Sequence, residues 1–449
     1  MIIDRTARRQ MRFNTMFHSL FGVQGIRGGR RRQRIVPAVL LCLVVTACQR
    51  VEPIGLLGQG AGFRGMVAAD EPRAVEIGRD ILAAGGSPAD AAVAMAFVLS
   101  VTLPSEAGLG GGGACLVYDH GQAKTEAIDF AAPVPAMARG MFALHAKYGR
   151  LHWENMLAPA EALARTGTGV SRAFARRLAQ APARLLEDRE TRRIYARPDG
   201  HLLSEGDLLV QSDLGAVLSR LRTRGIGELY GAAAARDLAA AAGRAGGAFT
   251  AEQIQNFLPR WQEPLKASQG NDVVFFMPPP SAAGPIEAAA WGGGDAAGRG
   301  KRLTEFYAAS PAGERPAGTG LVVMDGLGSA VACSLGLNAS FGTGRIIPDT
   351  GILLAAGGGR QHGPILSVNP NSNEFRFAVA GGGAAAVLQV ALSRGVDGTP
   401  IDVAVAASRP VEGGLVNALA CASGDPTEDR CVAANDPRGA GLSALVAAR

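Results

Sequence analysis

The alternation of apolar and polar residues predicts two successive helices early in the chain. Residues 72–84 carry apolar side chains at the spacing of one helix face, and Gly85 ends the pattern. A second helix is predicted over residues 91–101, because Ser87 and Asp90 provide a capping box directly before it. This segment is apolar on all sides, so we expect a central, buried helix.

Short apolar runs elsewhere predict strands, and a long mixed stretch predicts further helices. Residues 137–247 are rich in Ala, Arg and Leu, with polar positions between the apolar ones, which predicts an outer helical layer. The predicted strands are residues 114–118, 126–130, 273–276, 321–325, 330–335, 351–355, 365–368 and 375–380, and a helix follows at 384–393. Helices at both ends and strands in both halves predict an α+β fold, a four-layer αββα sandwich.

Two glycine-rich turns raise the question of a dinucleotide site. Gly108, Gly110 and Gly113 match G-x-G-x-x-G, but that fingerprint needs a strand before it and a helix after it. Here a helix precedes and a strand follows. The variant G-x-G-x-x-A, at Gly381, Gly383 and Ala386, lies correctly between strand and helix, but no βαβ unit follows it. The sequence therefore favours neither turn as a nucleotide site.

The net charge is concentrated at the N-terminus. Lysine and arginine total 45 and the acidic residues 39, a formal charge of +6. Residues 1–47 hold nine arginines and one acid, a net of +8, so residues 48–449 sum to 6 − 8 = −2. A nearly neutral remainder excludes the general nucleic-acid binding that a basic isoelectric point suggests.

The basic N-terminus is typical of an export signal. An arginine-rich segment is followed by an apolar run at residues 35–45, which is too short to span a bilayer as a helix. The ending Val45-Thr-Ala-Cys48 resembles a bacterial lipobox, so residues 1–47 are predicted to be a lipoprotein signal peptide and Cys48 the lipidated residue. Gln49 favours anchoring at the outer membrane, on the periplasmic side. An ordinary signal peptide with an incidental cysteine is the alternative.

The other cysteines suggest one disulfide. Cys421 and Cys431 flank a polar loop, and in an oxidising periplasm we expect them to be paired. Cys115 and Cys333 lie in apolar strand patterns, where we expect free thiols packed as small apolar groups. The histidines are scattered and no metal-ligand spacing occurs, so no metal site is predicted.

Several segments, in their order along the chain, resemble the γ-glutamyltranspeptidases. They are residues 65–70, 87–103, 106–119, 250–257, 277–284, 318–354 and 436–438. The resemblance spans most of residues 60–440 and implies an N-terminal nucleophile hydrolase. Such a chain cleaves itself before a threonine, then uses that hydroxyl as nucleophile with its new α-amine as base.

The export signal and the resemblance together predict three segments. They are a lipoprotein signal peptide at residues 1–47, a large-subunit-like region at residues 48–318 and a small-subunit-like region at residues 319–449. After cleavage the two fragments are expected to stay associated. The resemblance implies a small-molecule amide substrate and no cofactor.

The expected nucleophile falls at the start of the small-subunit-like region. The family reads T-T-H-x-S-V-V-D there, whereas residues 318–325 read G-T-G-L-V-V-M-D. Counting back from Asp325 puts the nucleophile's register on Gly318, so Thr319, one residue later, is the candidate. A β-bulge at the flanking glycines would bring Thr319 back to the expected face.

The resemblance implies further site residues. Asn338 is kept as a catalytic and substrate-binding residue, and Ser367 is the counterpart of one substrate-binding serine. Gly382 and Gly383, at a helix start, are expected to donate backbone N–H groups to the oxyanion. Gly336 stands where the family has a helper threonine.

The expected substrate clamp departs from the family pattern. Residues 129–131 read Asp-Phe-Ala where the family has Asp-Phe-Arg for the α-carboxylate, and residues 355–360 lack the aspartates that hold the α-amine. Each lost charge-assisted hydrogen bond is worth roughly 1.5–3 kcal/mol, so glutathione itself is not the expected substrate.

Two hypotheses about function follow from these residues. The first is a divergent γ-glutamyltransferase-like or glutathione-hydrolase-like enzyme, an amidohydrolase or acyltransferase for γ-glutamyl or related amides. The second is a lipoprotein that keeps the fold without catalysis and serves as a binding or envelope scaffold.

Overall fold

The computed structural model describes a sandwich of two antiparallel sheets between helices. It describes residues 62–181, 183–292, 317–357, 362–407, 414–422 and 426–447, together with Gly298, Lys301 and Glu305. The predicted signal peptide and Cys48 lie outside these residues. Within them, no helix combines the length and apolar character needed to cross a bilayer.

The first sheet contains the candidate nucleophile in its middle. Its antiparallel order is β17-β1-β9-β10-β2-β3-β6. The strands are β1 (Phe63–Ala69), β2 (Gly112–Asp119), β3 (Lys124–Asp129), β6 (Arg260–Gln262), β9 (Thr319–Asp325), β10 (Ala330–Gly336) and β17 (Leu442–Ala447). Because β9 lies between β1 and β10, the strand that starts at Thr319 is hydrogen-bonded on both edges.

The second sheet packs against the first and is also antiparallel, in the order β16-β15-β14-β13-β8-β7. Its strands are β7 (Leu265–Gln269), β8 (Asp272–Phe276), β13 (Ile365–Asn369), β14 (Glu374–Gly381), β15 (Val416–Cys421) and β16 (Cys431–Asn435). Two short ladders pair β4 (Thr168–Gly169) with β5 (Leu208–Leu209) and β11 (Ile346–Ile347) with β12 (Ile352–Leu353).

The helices form the two outer layers. On the first sheet's side they are α1 (Pro72–Ala83), α2 (Pro88–Thr102), α3 (Met137–Tyr148), α4 (Trp153–Thr166), α5 (Arg172–Leu178), α6 (Arg189–Tyr195), α7 (Ser212–Arg224), α8 (Gly227–Tyr230), α9 (Ala232–Arg244) and α10 (Ala251–Asn256). On the second sheet's side they are α11 (Ala283–Trp291), α12 (Ala384–Gly395) and α13 (Ile401–Ala406).

Alternating strand residues separate the apolar layers. In β9, Leu321 and Val323 pack with the helices around α2, whereas Val322 and Met324 pack against the second sheet. Every residue of α2 is buried, and Ser87 caps it with Asp90. The predicted αββα layering and central helix are therefore confirmed.

The described residues form two disulfides. One joins Cys421 in β15 to Cys431 in β16, the pair expected from the sequence. The other joins Cys115 to Cys333, so the prediction of free thiols at these positions is wrong. These cysteines lie directly opposite each other in β2 and β10, with Cα atoms 4.1 Å apart. Strand pairing brings together residues 218 positions apart, and no local pattern reveals it.

Candidate active site

Thr319 begins β9 and is fully buried. Its neighbour across the sheet is Leu335, and the β9–β10 pairing continues to Met324 without a shift in register. The expected β-bulge is therefore absent from this ladder. Side chains alternate along a strand, so Thr319 shares the helix-facing side of the sheet with Leu321. Val322 faces the second sheet instead.

A buried carboxylate holds the hydroxyl of Thr319. Ala69 at the end of β1 pairs with Leu321, so the next residue, Asp70, emerges beside the start of β9. Thr319 Oγ1 donates to Asp70 Oδ2 at 2.7 Å. Asn417, from the second sheet, donates Nδ2 to Asp70 Oδ1 at 2.8 Å. Asp70 is therefore held by one residue from each sheet, with one oxygen on the candidate nucleophile.

The environment of Asp70 changes its proton affinity. Burial raises the pKa of Asp70, while the hydrogen bonds from Thr319 and Asn417 and the charge of Arg177 oppose the rise. The charge of Asp436 adds to it. A carboxylate with a raised pKa is a stronger base than an exposed aspartate, and base strength nearer neutrality favours proton transfer from a hydroxyl.

A second buried acid holds the residue before Thr319. Glu106 Oε2 accepts the backbone N–H of Gly318 at 2.7 Å. Its other oxygen accepts the hydroxyl of Ser340 at 2.8 Å and lies 3.4 Å from Nε of Arg177. Burial raises the pKa of Glu106, and the charge of Arg177 is the largest influence against that rise. The Gly318–Thr319 peptide is thus flanked by two buried carboxyl groups.

Gly318 lies where only glycine fits. Its φ of +127° belongs to a region that L side chains rarely adopt, and a Cβ there would lie 2.6 Å from the carbonyl oxygen of Leu335. The carbonyl of Gly318 faces the backbone of Gly382, where an added Cβ would come within 2.2 Å of that oxygen. The two backbones therefore approach each other closely.

The two predicted oxyanion glycines are only partly in place. Gly382 lies against the Gly318 carbonyl, but its N–H donates to Leu415 O at 3.2 Å. Gly383 is the N-cap of α12. For Gly382 to donate to an oxyanion, its bond to Leu415 must first open.

Among the described residues, no hydrogen bond joins Thr319 to the other two predicted residues, Asn338 and Ser367. Asn338 has φ +64° and donates Nδ2 to the carbonyl of Ala356 at 2.8 Å. Ser367 is buried in β13, and its hydroxyl has no hydrogen-bond partner among the described residues. Both positions were inferred from the family pattern, and their roles in binding and catalysis stay predictions.

A histidine fills the space beside Gly336. A Cβ at Gly336 would lie 2.9 Å from Cε1 of His362 and 3.7 Å from Cα of Gly318. The imidazole thus lies close to where the family's helper side chain is expected. Burial lowers the pKa of His362 to about 4, so the ring is neutral at pH 7.

A small cavity is lined in part by Asp70. Its volume is about 90 Å³, and three arginines, Arg176, Arg177 and Arg438, contribute to its lining. A polar cavity of this size has room for a few water molecules. It provides a place from which water can reach the carboxylate.

Sequence reasoning missed Asp70, Glu106, Asn417 and His362. Asp70 ends the resembling segment 65–70, and Glu106 begins the resembling segment 106–119. Acidic residues at the ends of these segments could therefore have been proposed as site residues. Nothing local pointed to Asn417, because it reaches Asp70 from a strand 347 residues away.

Comparisons with known proteins agree with this architecture. A family model described as gamma-glutamyltranspeptidase matches residues 74–133 and 130–291. Glutathione hydrolase 7 of Bos taurus is 34% identical over 241 residues, and the glutathione hydrolase proenzyme of Bacillus subtilis is 29% identical over 254 residues. These alignments cover 48% and 50% of the chain but only 36% and 43% of the relatives' own lengths.

The fold extends further than the sequence similarity. The crystal structure of cephalosporin acylase from Bacillus halodurans has a TM-score of 0.69 to this chain at 19% identity, covering 85% of this chain and 96% of that one. Together with the two-sheet sandwich, this establishes the architecture on both sides of Thr319. The chain belongs to the γ-glutamyltranspeptidase family and has the N-terminal nucleophile hydrolase fold.

Proposed function

We propose that the chain is a self-cleaving amidohydrolase or acyltransferase with Thr319 as its nucleophile, acting on γ-glutamyl or related amides. The observation that carries this proposal is the 2.7 Å hydrogen bond from Thr319 Oγ1 to Asp70 Oδ2. A hydroxyl needs an adjacent base to become a useful nucleophile, and Asp70 is in contact with it. N-terminal nucleophile hydrolases cleave themselves before their nucleophile, and the proposal extends this family property to Thr319.

Asp70 is the base that self-cleavage requires. Before cleavage the nitrogen of Thr319 is a peptide nitrogen, which cannot act as a base. Asp70 takes the proton of Thr319 Oγ1 as that oxygen attacks the carbonyl carbon of Gly318. It then returns the proton to the leaving nitrogen as the C–N bond breaks. The resulting ester is hydrolysed by water, giving a Gly318 carboxylate and a free Thr319 amine and hydroxyl.

The register of Thr319 does not prevent this attack. Only its own Cβ, Cα and N lie between Oγ1 and the carbonyl carbon of Gly318. The two atoms therefore remain within reach on either face of the strand, and glycine at 318 permits the rotation. After cleavage the same hydroxyl can attack a substrate amide, and water or an amine can release the acyl group.

Cleavage would separate residues 48–318 from residues 319–449. The fragments should nevertheless remain together, because β9 lies between β1 and β10 of the same sheet and Cys115 is bonded to Cys333. We therefore expect one band on a non-reducing denaturing gel and two bands after reduction. A single band under both conditions, at full mature mass, would contradict cleavage.

The nucleophile is tested by Thr319→Ala. The smaller fragment of the wild-type chain should have 131 residues and begin Thr-Gly-Leu-Val-Val on N-terminal sequencing. Thr319→Ala should leave one intact chain after reduction and abolish amide turnover. Thr166→Ala is the matched control, because that exposed hydroxyl bonds only within α4. Cleavage of Thr319→Ala at the wild-type position would rule out this nucleophile.

The inactive scaffold remains the second candidate, for two specific reasons. Thr319 is one residue out of the expected register, and Gly336 has no helper hydroxyl. A binding role would require the sandwich but not the reactive bond. An exported wild-type protein that stays uncleaved after reduction and turns over no acyl amide would favour the scaffold.

We also propose that the mature protein is lipid-anchored in the periplasm through Cys48. Two disulfides among the described residues support an oxidising compartment. Cys48→Ser should abolish metabolic labelling with a fatty acid and move the protein from the membrane to the soluble fraction. Unchanged labelling would place the anchor elsewhere. Cys421→Ser, which should keep the label, is the control.

A further inference from the structure

Residue 318 occupies the place of the acyl group in the first reaction that Thr319 performs. We propose that the site accepts amides whose acyl group has an N–H on its α-carbon and no L side chain, which are glycyl and N-acylglycyl amides. Glu106 is the residue that selects them. This inference rests on the proposed function, because it concerns the substrate of the same nucleophile.

The chain itself provides the template for this substrate. Self-cleavage forms an ester between the carbonyl carbon of Gly318 and Thr319 Oγ1. A substrate amide would form the same ester with its own acyl carbon, while its amine leaves with a proton. Because the bond to Thr319 Oγ1 is shared, the substrate's α-carbon must take the place of Cα of Gly318.

Glu106 marks the position of the α-nitrogen. Its Oε2 accepts the N–H carried by Cα of Gly318 at 2.7 Å, and its Oε1 is occupied by Ser340 and Arg177. Among the described residues, Gly318 is the single donor to Oε2. Once cleavage lets Gly318 leave, that oxygen is buried without a donor, which costs free energy. A substrate with an N–H on its α-carbon restores the bond.

Backbone atoms exclude a side chain at the α-carbon. An L side chain on residue 318 would place Cβ 2.6 Å from Leu335 O and 3.5 Å from Cα of Gly382. Neither neighbour is a flexible side chain, so neither can move away cheaply. On the nitrogen side the uncleaved chain itself continues as Ala317, so an acyl group on that nitrogen already has a place there. The site therefore fits a glycyl unit that continues through its nitrogen.

A γ-glutamyl group does not satisfy this template. Its nitrogen is on the third carbon from the acyl carbon, so it cannot reach the position of the Gly318 N–H. The departures at Ala131 and after Leu354 also remove the groups with which the family binds the α-carboxylate and α-amine of a γ-glutamyl group. The same chain thus lacks one recognition element and carries another beside the nucleophile.

The test compares five p-nitroanilides on the self-cleaved wild-type protein. They are the glycyl, N-acetylglycyl, L-alanyl, propionyl and γ-glutamyl anilides; propionyl matches glycyl in size but has no nitrogen. We expect kcat/KM for the two glycyl substrates to exceed the others by roughly 10- to 100-fold, the range expected for one hydrogen bond to a charged group. Glu106→Ala should reduce the glycyl rate to the propionyl rate.

Two further variants separate recognition from folding. Glu106→Gln keeps an acceptor oxygen and should retain preference for N-acetylglycyl, whereas Glu205→Gln, an exposed acid paired with Arg172, should change nothing. If Glu106→Ala does not fold, the wild-type panel alone decides. Equal rates for glycyl and propionyl, a preference for γ-glutamyl, or no turnover of any substrate by a cleaved chain would overturn the inference. An uncleaved wild-type chain would instead contradict the proposed function.

Discussion

Asp70→Asn is expected to slow self-cleavage at the Gly318–Thr319 bond by about 10²–10⁴-fold, the usual contribution of a positioned general base. Asparagine has nearly the same shape and can still accept the Thr319 hydroxyl at Oδ1, but it cannot take up the proton. After reduction, the variant should therefore run as one full-length band where the wild type gives two.

The pH dependence separates a base from a structural residue. Burial raises the pKa of Asp70, so cleavage of the wild-type chain should become faster as pH rises through that raised pKa and the carboxylate forms. The hydrogen bonds from Thr319 and Asn417 and the charge of Arg177 oppose the rise, while the charge of Asp436 reinforces it. Residual cleavage in Asp70→Asn should lack this step.

Folding of the Asp70→Asn variant can be checked independently. Pairing of β2 with β10 brings Cys115 and Cys333 together, so their disulfide, found by mass mapping, would indicate that these two strands have paired. Asp213→Asn, an exposed acid on α7, is the control and should cleave as the wild type does. If Asp70→Asn cleaves at the wild-type rate with an unchanged pH profile, the base is another group, and neutral His362 is then the first to examine.

Local sequence patterns predicted the helix and sheet layers because the burial of each element depends on its own apolar residues. The helix α2 is apolar on every side and capped by Ser87, so its burial follows from composition alone. Strand alternation in β9 correctly separates the helix-facing from the sheet-facing residues. These features need no knowledge of which strands are neighbours.

The contacts around Thr319 could not be predicted in the same way. Asp70 and Glu106 are 249 and 212 residues from their partners at the cleavage site, and only the order of strands in the sheet brings them there. The family pattern indicated the glycine-rich segments that flank the site, while the roles it implies for Asn338 and Ser367 stay predictions. The residues that depart from the family pattern lie at the site, whereas the αββα layering is kept.

Glu287→Met is expected to raise the free energy of unfolding by about 1–3 kcal/mol, the usual cost of a buried polar group without a partner. Glu287 lies on α11, is completely buried, and has no hydrogen-bond partner for either carboxyl oxygen among the described residues. Its carboxyl packs against the backbone of Gly363, where an added Cβ would lie 2.2 Å from Oε1. Methionine has a similar length and no polar oxygen, so it should fill the same space.

The gain from Glu287→Met should depend on pH in a definite direction. Burial raises the pKa of Glu287 well above its usual value, so the folded chain keeps a proton that the unfolded chain releases. Wild-type stability from this group is complete below the unfolded pKa of about 4.3 and falls as pH rises towards the raised value. Denaturant unfolding at pH 5 and pH 8, disulfides intact, should therefore show a larger gain at pH 8. The exposed control Glu263→Met should show none, and a loss of stability in Glu287→Met would indicate that Glu287 has a partner in the folded chain.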